Sequence, residues 1–201
     1  MGIGRHYFVP LVGVLLMSLS SGAYAIEFKQ VLTDKSTLSF DYKQMNVPLE
    51  GNFRQFEAHI AFDPAKPSVA QVQLEIVLAS IDAGSSEANE ALVGKPWFNA
   101  KTYPNAQFVS TSVKALVDNR FEARGKLTIK GKTLDVLVPF TFKSEGISGI
   151  FDGVFVLKRL DYAIGEGAWA DVDAVANEVP IRFHLVAVAV PIKKQFHPIH
   201  R

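Results

Sequence analysis

With 201 residues, 48% of them hydrophobic and 20% charged, the chain has the length and apolar content for one domain with a sizeable core. Lysine plus arginine (21) nearly balances aspartate plus glutamate (20), so the electrostatic footprint that holds a polyphosphate backbone is missing and nucleic acid is excluded as an expected partner. There is no cysteine, which excludes thiol nucleophiles, cysteine-based metal sites and disulfides and leaves core burial to supply the stability.

Taken in order, the chain opens on an export signal. Arg5 and His6 form a short positive region, Phe8–Leu19 is apolar but too short to cross a bilayer comfortably, and Ala23-Tyr24-Ala25 is a small-residue cleavage site. Residues 1–25 are expected to be removed, leaving roughly 176 residues with a formal charge near zero; an uncleaved membrane anchor is the alternative. Residues 26–192 then read as one domain, and 193–201 as a loose polar tail.

Phe28–Thr33 reads as a short strand, and Ser36–Lys43 as a second with Leu38, Phe40 and Tyr42 on one face. Gln44–Leu49, with Pro48, reads as a connection. Gly51-Asn52-Phe53 opens a long strand that continues through Phe56, Ala58, Ile60 and Phe62 at period two. Asp63–Pro67 is a turn, and Val72, Leu74, Ile76 and Leu78 mark the next strand. Glu87–Gly94 carries the one convincing helical signal, with Ser85 or Ser86 as cap and Gly94 as stop. Pro96-Trp97-Phe98-Asn99 and Tyr103-Pro104 are too aromatic for a solvated loop and read as a packed lid or corner. Strands resume at Ala106–Val113 and Arg120–Ile129, turn at Lys130-Gly131-Lys132, and continue through Leu134, Val136, Val138, Phe140 and Phe142.

In the stretch from Phe151 to Trp169, the residues Phe151, Gly153, Phe155 and Leu157 share one strand face. The strand delivers Arg159 and Asp161 onto a loop with two glycines and a tryptophan. Val179–Val190 is the last long strand. About eight strands joined mostly by short turns, with one helical interruption, predict an all-β antiparallel meander, and closure into a barrel removes the exposed edges. Such a barrel is just wide enough to be filled by its own side chains or to hold a small ligand. Of the 15 phenylalanines, the 12 that fall in these expected strands suit either outcome.

The ordered set Ser39-Phe40, Gly51-Asn52-Phe53, Phe62-Asp63-Pro64, Ala79-Ser80-Ile81-Asp82-Ala83-Gly84, Lys95-Pro96-Trp97-Phe98-Asn99, Tyr103-Pro104-Asn105-Ala106-Gln107-Phe108, Gly125–Gly131 and Leu157–Gly165 with Trp169 resembles the YceI family of periplasmic polyisoprenoid-binding, lipocalin-like proteins. The resemblance runs from about Phe28 to Ala189. It implies an extended eight-stranded lipocalin-like barrel with a short helical insertion, a periplasmic location, and an apolar tunnel for a polyprenyl chain or isoprenoid quinone. It implies no catalysis and no required cofactor.

The expected cavity lining is Phe40, Phe53, Leu74, Ile76, Trp97, Phe98, Phe108, Leu127, Ile129, Val138, Phe140, Phe155, Leu157, Tyr162 and Phe183. Arg159 and Asp161 admit two readings: an ion pair that pins the loop, or a polar mouth that takes a ligand headgroup. No catalytic residue and no metal site is expected. His59 and His184 fall outside the apolar positions of their strands, His197 and His200 lie in the tail, and none has an acid partner visible in sequence. Two other functions stay open: an enzyme acting on an amphipathic small molecule in the same cavity, and a protein that passes quinone to an inner-membrane b-type cytochrome. The protein is expected as a monomer or a homodimer.

Overall fold

The computed structural model describes residues 26–191; the expected signal segment 1–25 and the tail 193–201 lie outside them. Eleven strands and one α-helix follow in order: β1 (Ile26–Val31), β2 (Thr37–Gln44), β3 (Val47–Phe53), β4 (Phe56–Phe62), β5 (Gln71–Val77), β6 (Ile81–Asp82), α1 (Ser86–Val93), β7 (Asn105–Ala115), β8 (Arg120–Ile129), β9 (Lys132–Glu145), β10 (Ser148–Lys158) and β11 (Glu178–Pro191). All pairings are antiparallel, and β1 bonds both β4 and β11, which closes the sheet.

The eleven strands build an eight-stranded barrel because three of its staves are broken in two. β1 and β2 run in succession along β11, through Ala187–Pro191 and Ile181–His184 respectively. β4 pairs with β1 and β5, while β3 pairs with β2 and β6. The long strand expected from Gly51 to Phe62 is therefore one stave with a break at Arg54–Gln55. Backbone bonds from Arg54 N–H to Ser80 O and from Val77 N–H to Gln55 O hold that break.

The expected connection Gln44–Leu49 is corrected. Met45 and Asn46 form a two-residue turn, both with positive φ (50° and 64°), as a twisted hairpin requires, and β3 begins at once with Val47. Pro48 is tolerated in it because β3 pairs with β6 only at Asn52 and Phe53, so the missing N–H falls on an open edge. The helix forms where its signals lie: Ser85 Oγ accepts the Ala88 N–H at 3.1 Å, Glu87 stands in the first turn, and Gly94 caps the end.

Inward residues alternate along every long strand, but the lumen is not filled evenly. At the end carrying the β9–β10 turn, the rings of Phe28, Phe62, Phe121, Phe140, Phe142 and Phe151 form a plug. Phe62, wholly buried, lies 5.0–6.0 Å by centroid from four of them. Edge-on and tilted pairs of this kind add about 0.5–1.5 kcal/mol each beyond area burial. The plug closes one end of the barrel and leaves the other to α1 and its neighbouring loops.

Candidate functional site: an apolar cavity with one polar end

Above the aromatic plug lies a cavity of about 660 Å³. Phe62, Phe140, Phe151 and Leu185 form its floor, and the inward residues of the staves form its wall. Exposed lining residues occur at Gln44, Ser85, Glu87, Ala91 and Trp169, which places the mouth between the β2–β3 turn, α1 and the segment around Trp169. Polar side chains are few: Tyr42, Gln44, Ser85, Glu87 and Arg159. The Tyr42 hydroxyl donates to Ala83 O at 3.1 Å. A chamber with this lining gains by burying hydrocarbon and offers hydrogen bonds only near its opening.

The chain from residue 30 to residue 187 matches the YceI-like domain family. The chain belongs to the YceI-like family. Burkholderia cenocepacia BcnA, a solved structure 46% identical in sequence, superposes with a TM-score of 0.77 over 79% of this chain and all of that one. A polyisoprenoid binding domain from Saccharophagus degradans shares the fold at 16% identity, with a TM-score of 0.59 over 83% of this chain and 99% of that one. A UPF0312 protein of Pseudomonas putida is 33% identical over 98 residues, 49% of this chain; the match spans about half (51%) of that protein's length.

In this YceI-like barrel, Phe40, Phe53, Leu74, Ile76, Trp97, Phe98, Phe108, Leu127, Ile129, Val138, Phe140, Phe155, Leu157 and Phe183 all line the cavity. Tyr162 does not. Period two ends at Leu157 and Arg159, and residues Arg159–Tyr162 form a 3-10 turn that carries the Tyr162 ring away from the lumen into the packed loop. Its hydroxyl is buried without a partner, and burial together with the nearby Asp161 pushes its pKa up to about 12.

Neither reading of Arg159 and Asp161 matches the geometry. Arg159 is inward, 2% exposed, and makes no ion pair with Asp161, which is exposed and absent from the cavity lining. All five guanidinium donors go to backbone carbonyls: Nε to Ala176 O (3.0 Å), Nη1 to Ile164 O (2.8 Å) and Gly165 O (3.4 Å), Nη2 to Val175 O (2.6 Å) and Asp171 O (3.4 Å). The guanidinium carbon also sits 5.6 Å from the Trp97 ring centroid. Arg159 thus folds the 164–176 segment around itself and has no donor left for a headgroup. Desolvation lowers its pKa from the ordinary value, yet an arginine so placed stays charged.

The Trp97 segment is fastened to the same loop, since Pro96 O accepts the N–H groups of Gly165 and Glu166 at 2.9 and 2.8 Å. The expected packed corner is therefore the roof of the cavity. Sequence reading missed the helix as lining: Ala88, Ala91 and Leu92, spaced i, i+3, i+4, present one apolar stripe to the lumen. It also missed Trp169, which lines the cavity 5.4 Å by centroid from Trp97.

The histidines are corrected in one respect. His184 does have an acid partner, Asp152 Oδ1 at 2.6 Å from Nδ1. The two are register partners on β10 and β11, and both side chains are open to solvent on the outer face (42% and 53%). His59 is exposed on β4.

Proposed function

We propose that the barrel binds and carries an isoprenoid lipid, a polyprenyl chain or isoprenoid quinone, in the periplasm and without catalysis. The observation that carries this reading is the cavity itself: about 660 Å³, closed at one end by phenylalanines, apolar along its length and polar only at its mouth. That volume falls in the range of roughly 300–1,000 Å³ typical of small-molecule sites. Each methylene buried is worth about 0.8 kcal/mol, so a prenyl chain gains affinity by length alone and needs no catalytic constellation. The fold shared with a polyisoprenoid binding domain supports the same reading. The segment Arg5 to Ala25 supports export.

The polar end of the ligand then faces Gln44, Ser85 and Glu87 rather than Arg159. The Gln44 amide offers a donor to a quinone carbonyl, and the Glu87 carboxylate disfavours an anionic headgroup. This selects a neutral headgroup, quinone or alcohol, over a pyrophosphate.

Native mass spectrometry of the purified protein, with lipid extraction, tests the proposal. The expected result is an isoprenoid adduct in the wild type and none in a Leu127→Arg variant, whose new charge would lie unpaired in the lumen. A wild type that carries no lipid and takes none up when offered a polyprenol would overturn it.

A further inference from the structure

The barrel wall is not sealed evenly. β9 and β10 pair from Glu145 opposite Ser148 to Phe140 opposite Gly153, and the ladder stops there. Beyond it, Lys132–Pro139 of β9 still pair with β8 and Val154–Lys158 of β10 still pair with β11, but not with each other. The stop has a chemical cause. The next residue of β9 is Pro139, which has no N–H to give, and proline in a sheet belongs to an edge.

A second proline, Pro180 of β11, ends the β11–β2 ladder in the same way, beside the pair Ile181–Phe40. There the chain reseals the gap: Met45 N–H donates to Ala174 O, Ala176 N–H to Lys43 O, and Gln44 bridges Val175. Between β9 and β10 the pairing is not resumed beyond Phe140–Gly153.

The unpaired stretch is bounded at both ends. Below stands the Phe140–Gly153 rung. Above, Lys130 Nζ clasps the opposite loop through Ala163 O and Glu166 Oε2, both at 2.7 Å. Between them, inward side chains from both lips, Val136 and Val138 of β9 with Phe155 and Leu157 of β10, line the cavity. Nearest the rung the outward side chains of the same lips are apolar and in water: Leu137 is 40% exposed, Val154 41% and Val156 47%; farther up β9 the outward Asp135 is exposed and paired with Lys126 Nζ at 3.0 Å. Solvated lysines, Lys132 and Lys158, stand at the upper end.

We propose that this stretch is a side window through which the hydrocarbon chain of the ligand passes between a lipid bilayer and the cavity, with Leu137, Val154 and Val156 resting on the bilayer surface. No strand ladder joins the lips there, so they part without unzipping one. An apolar rim continuous with an apolar chamber keeps a prenyl chain out of water during transfer. The two lysines suit the anionic headgroups of the bilayer. The inference rests on the lipid-binding reading and adds the route and the donor surface.

The test uses the absence of native cysteine. Continuing the register past Phe140–Gly153 sets Leu137 opposite Val156, so oxidation of a Leu137→Cys, Val156→Cys protein, with the disulfide verified by mass, ties the two lips together. Menaquinone-4 is supplied either in vesicles of three parts phosphatidylethanolamine to one part phosphatidylglycerol or in detergent micelles, and its arrival is followed by quenching of tryptophan fluorescence. The expected result is transfer from vesicles at least tenfold slower in the oxidised protein and restored by reduction. Val154→Glu with Val156→Glu, at exposed positions that leave the fold unstrained, should slow vesicle transfer as much while leaving final occupancy from micelles unchanged. Val109→Glu, equally exposed on β7 away from the window, should transfer as the wild type does. Equal vesicle rates in the oxidised, reduced and glutamate proteins would overturn the window and leave the mouth at α1 as the route. Failure of the wild type to load from micelles would overturn the lipid-binding reading itself.

Discussion

Arg159 shows how a residue can be placed by sequence and yet misread in role. Its inward orientation follows from period two, since it continues the face of Phe151, Gly153, Phe155 and Leu157. Its partners were not legible, because they are backbone carbonyls of residues 164–176, whose path has no periodicity. Replacement by methionine leaves buried carbonyls without donors, each costing about 1–3 kcal/mol, and we expect a loss of about 2–5 kcal/mol in denaturant unfolding. Arg159→Lys should recover only part of this, since one ammonium cannot span five acceptors. In either variant that still folds, preference for a quinone over an alkane of equal length should be unchanged. Tyr162 gives a pH prediction. Its folded pKa of about 12 lies above the ordinary value of 10, so the neutral phenol is favoured by folding. That contribution is complete below about pH 10 and is lost as pH rises from 10 to 12. Tyr162→Phe should remove this alkaline loss from the thermal melting profile. It should also leave stability at pH 7 equal or slightly higher, because a buried hydroxyl without a partner is removed.

At the scale of elements, most of the barrel was legible. β8, β9 and β10 alternate over ten or more residues, and each forms close to where the pattern begins and ends. The helix was marked by its cap and stop. What escaped were the breaks within staves, because Arg54–Gln55 interrupts a strand whose apolar alternation continues on both sides. The role of the strand glycines escaped as well. Gly153 of β10 faces Phe183 of β11, and a Cβ there would run into the Phe183 ring and lie 2.5 Å from Pro139 O. Gly51 stands in the same relation to Phe40. The glycines let these rings lie flat along the wall, which keeps the lumen open despite its phenylalanine content. Gly153→Ala should therefore cost about 1–3 kcal/mol of stability and, by pushing Phe183 into the cavity, reduce the longest prenyl chain that binds. Thermal melts and a chain-length series read the two effects separately.

At the scale of the whole molecule, the resemblance carried by the Trp97, Arg159–Tyr162 and Gly125–Gly131 motifs pointed to the family, and the matched region of residues 30–187 agrees with it. Periodicity alone left open whether the phenylalanines fill the barrel or line a chamber. Both occur, at different heights: the plug around Phe62 is filled, and the space between it and α1 is not. That division cannot be read from one-dimensional pattern, because it depends on which inward positions meet across the lumen. It makes the protein a chamber of fixed depth. The molecule also supplies its own reporter, since both of its tryptophans, Trp97 and Trp169, line that chamber near its mouth. The most direct measurement is a titration of the purified protein with prenyl alcohols of increasing length, followed by tryptophan fluorescence. Affinity should rise with each added isoprene unit until the chain reaches the aromatic floor and then level off, and Phe140→Asp, if folded, should abolish the rise. Affinity that is independent of chain length, or no change in tryptophan emission at any length, would contradict the account.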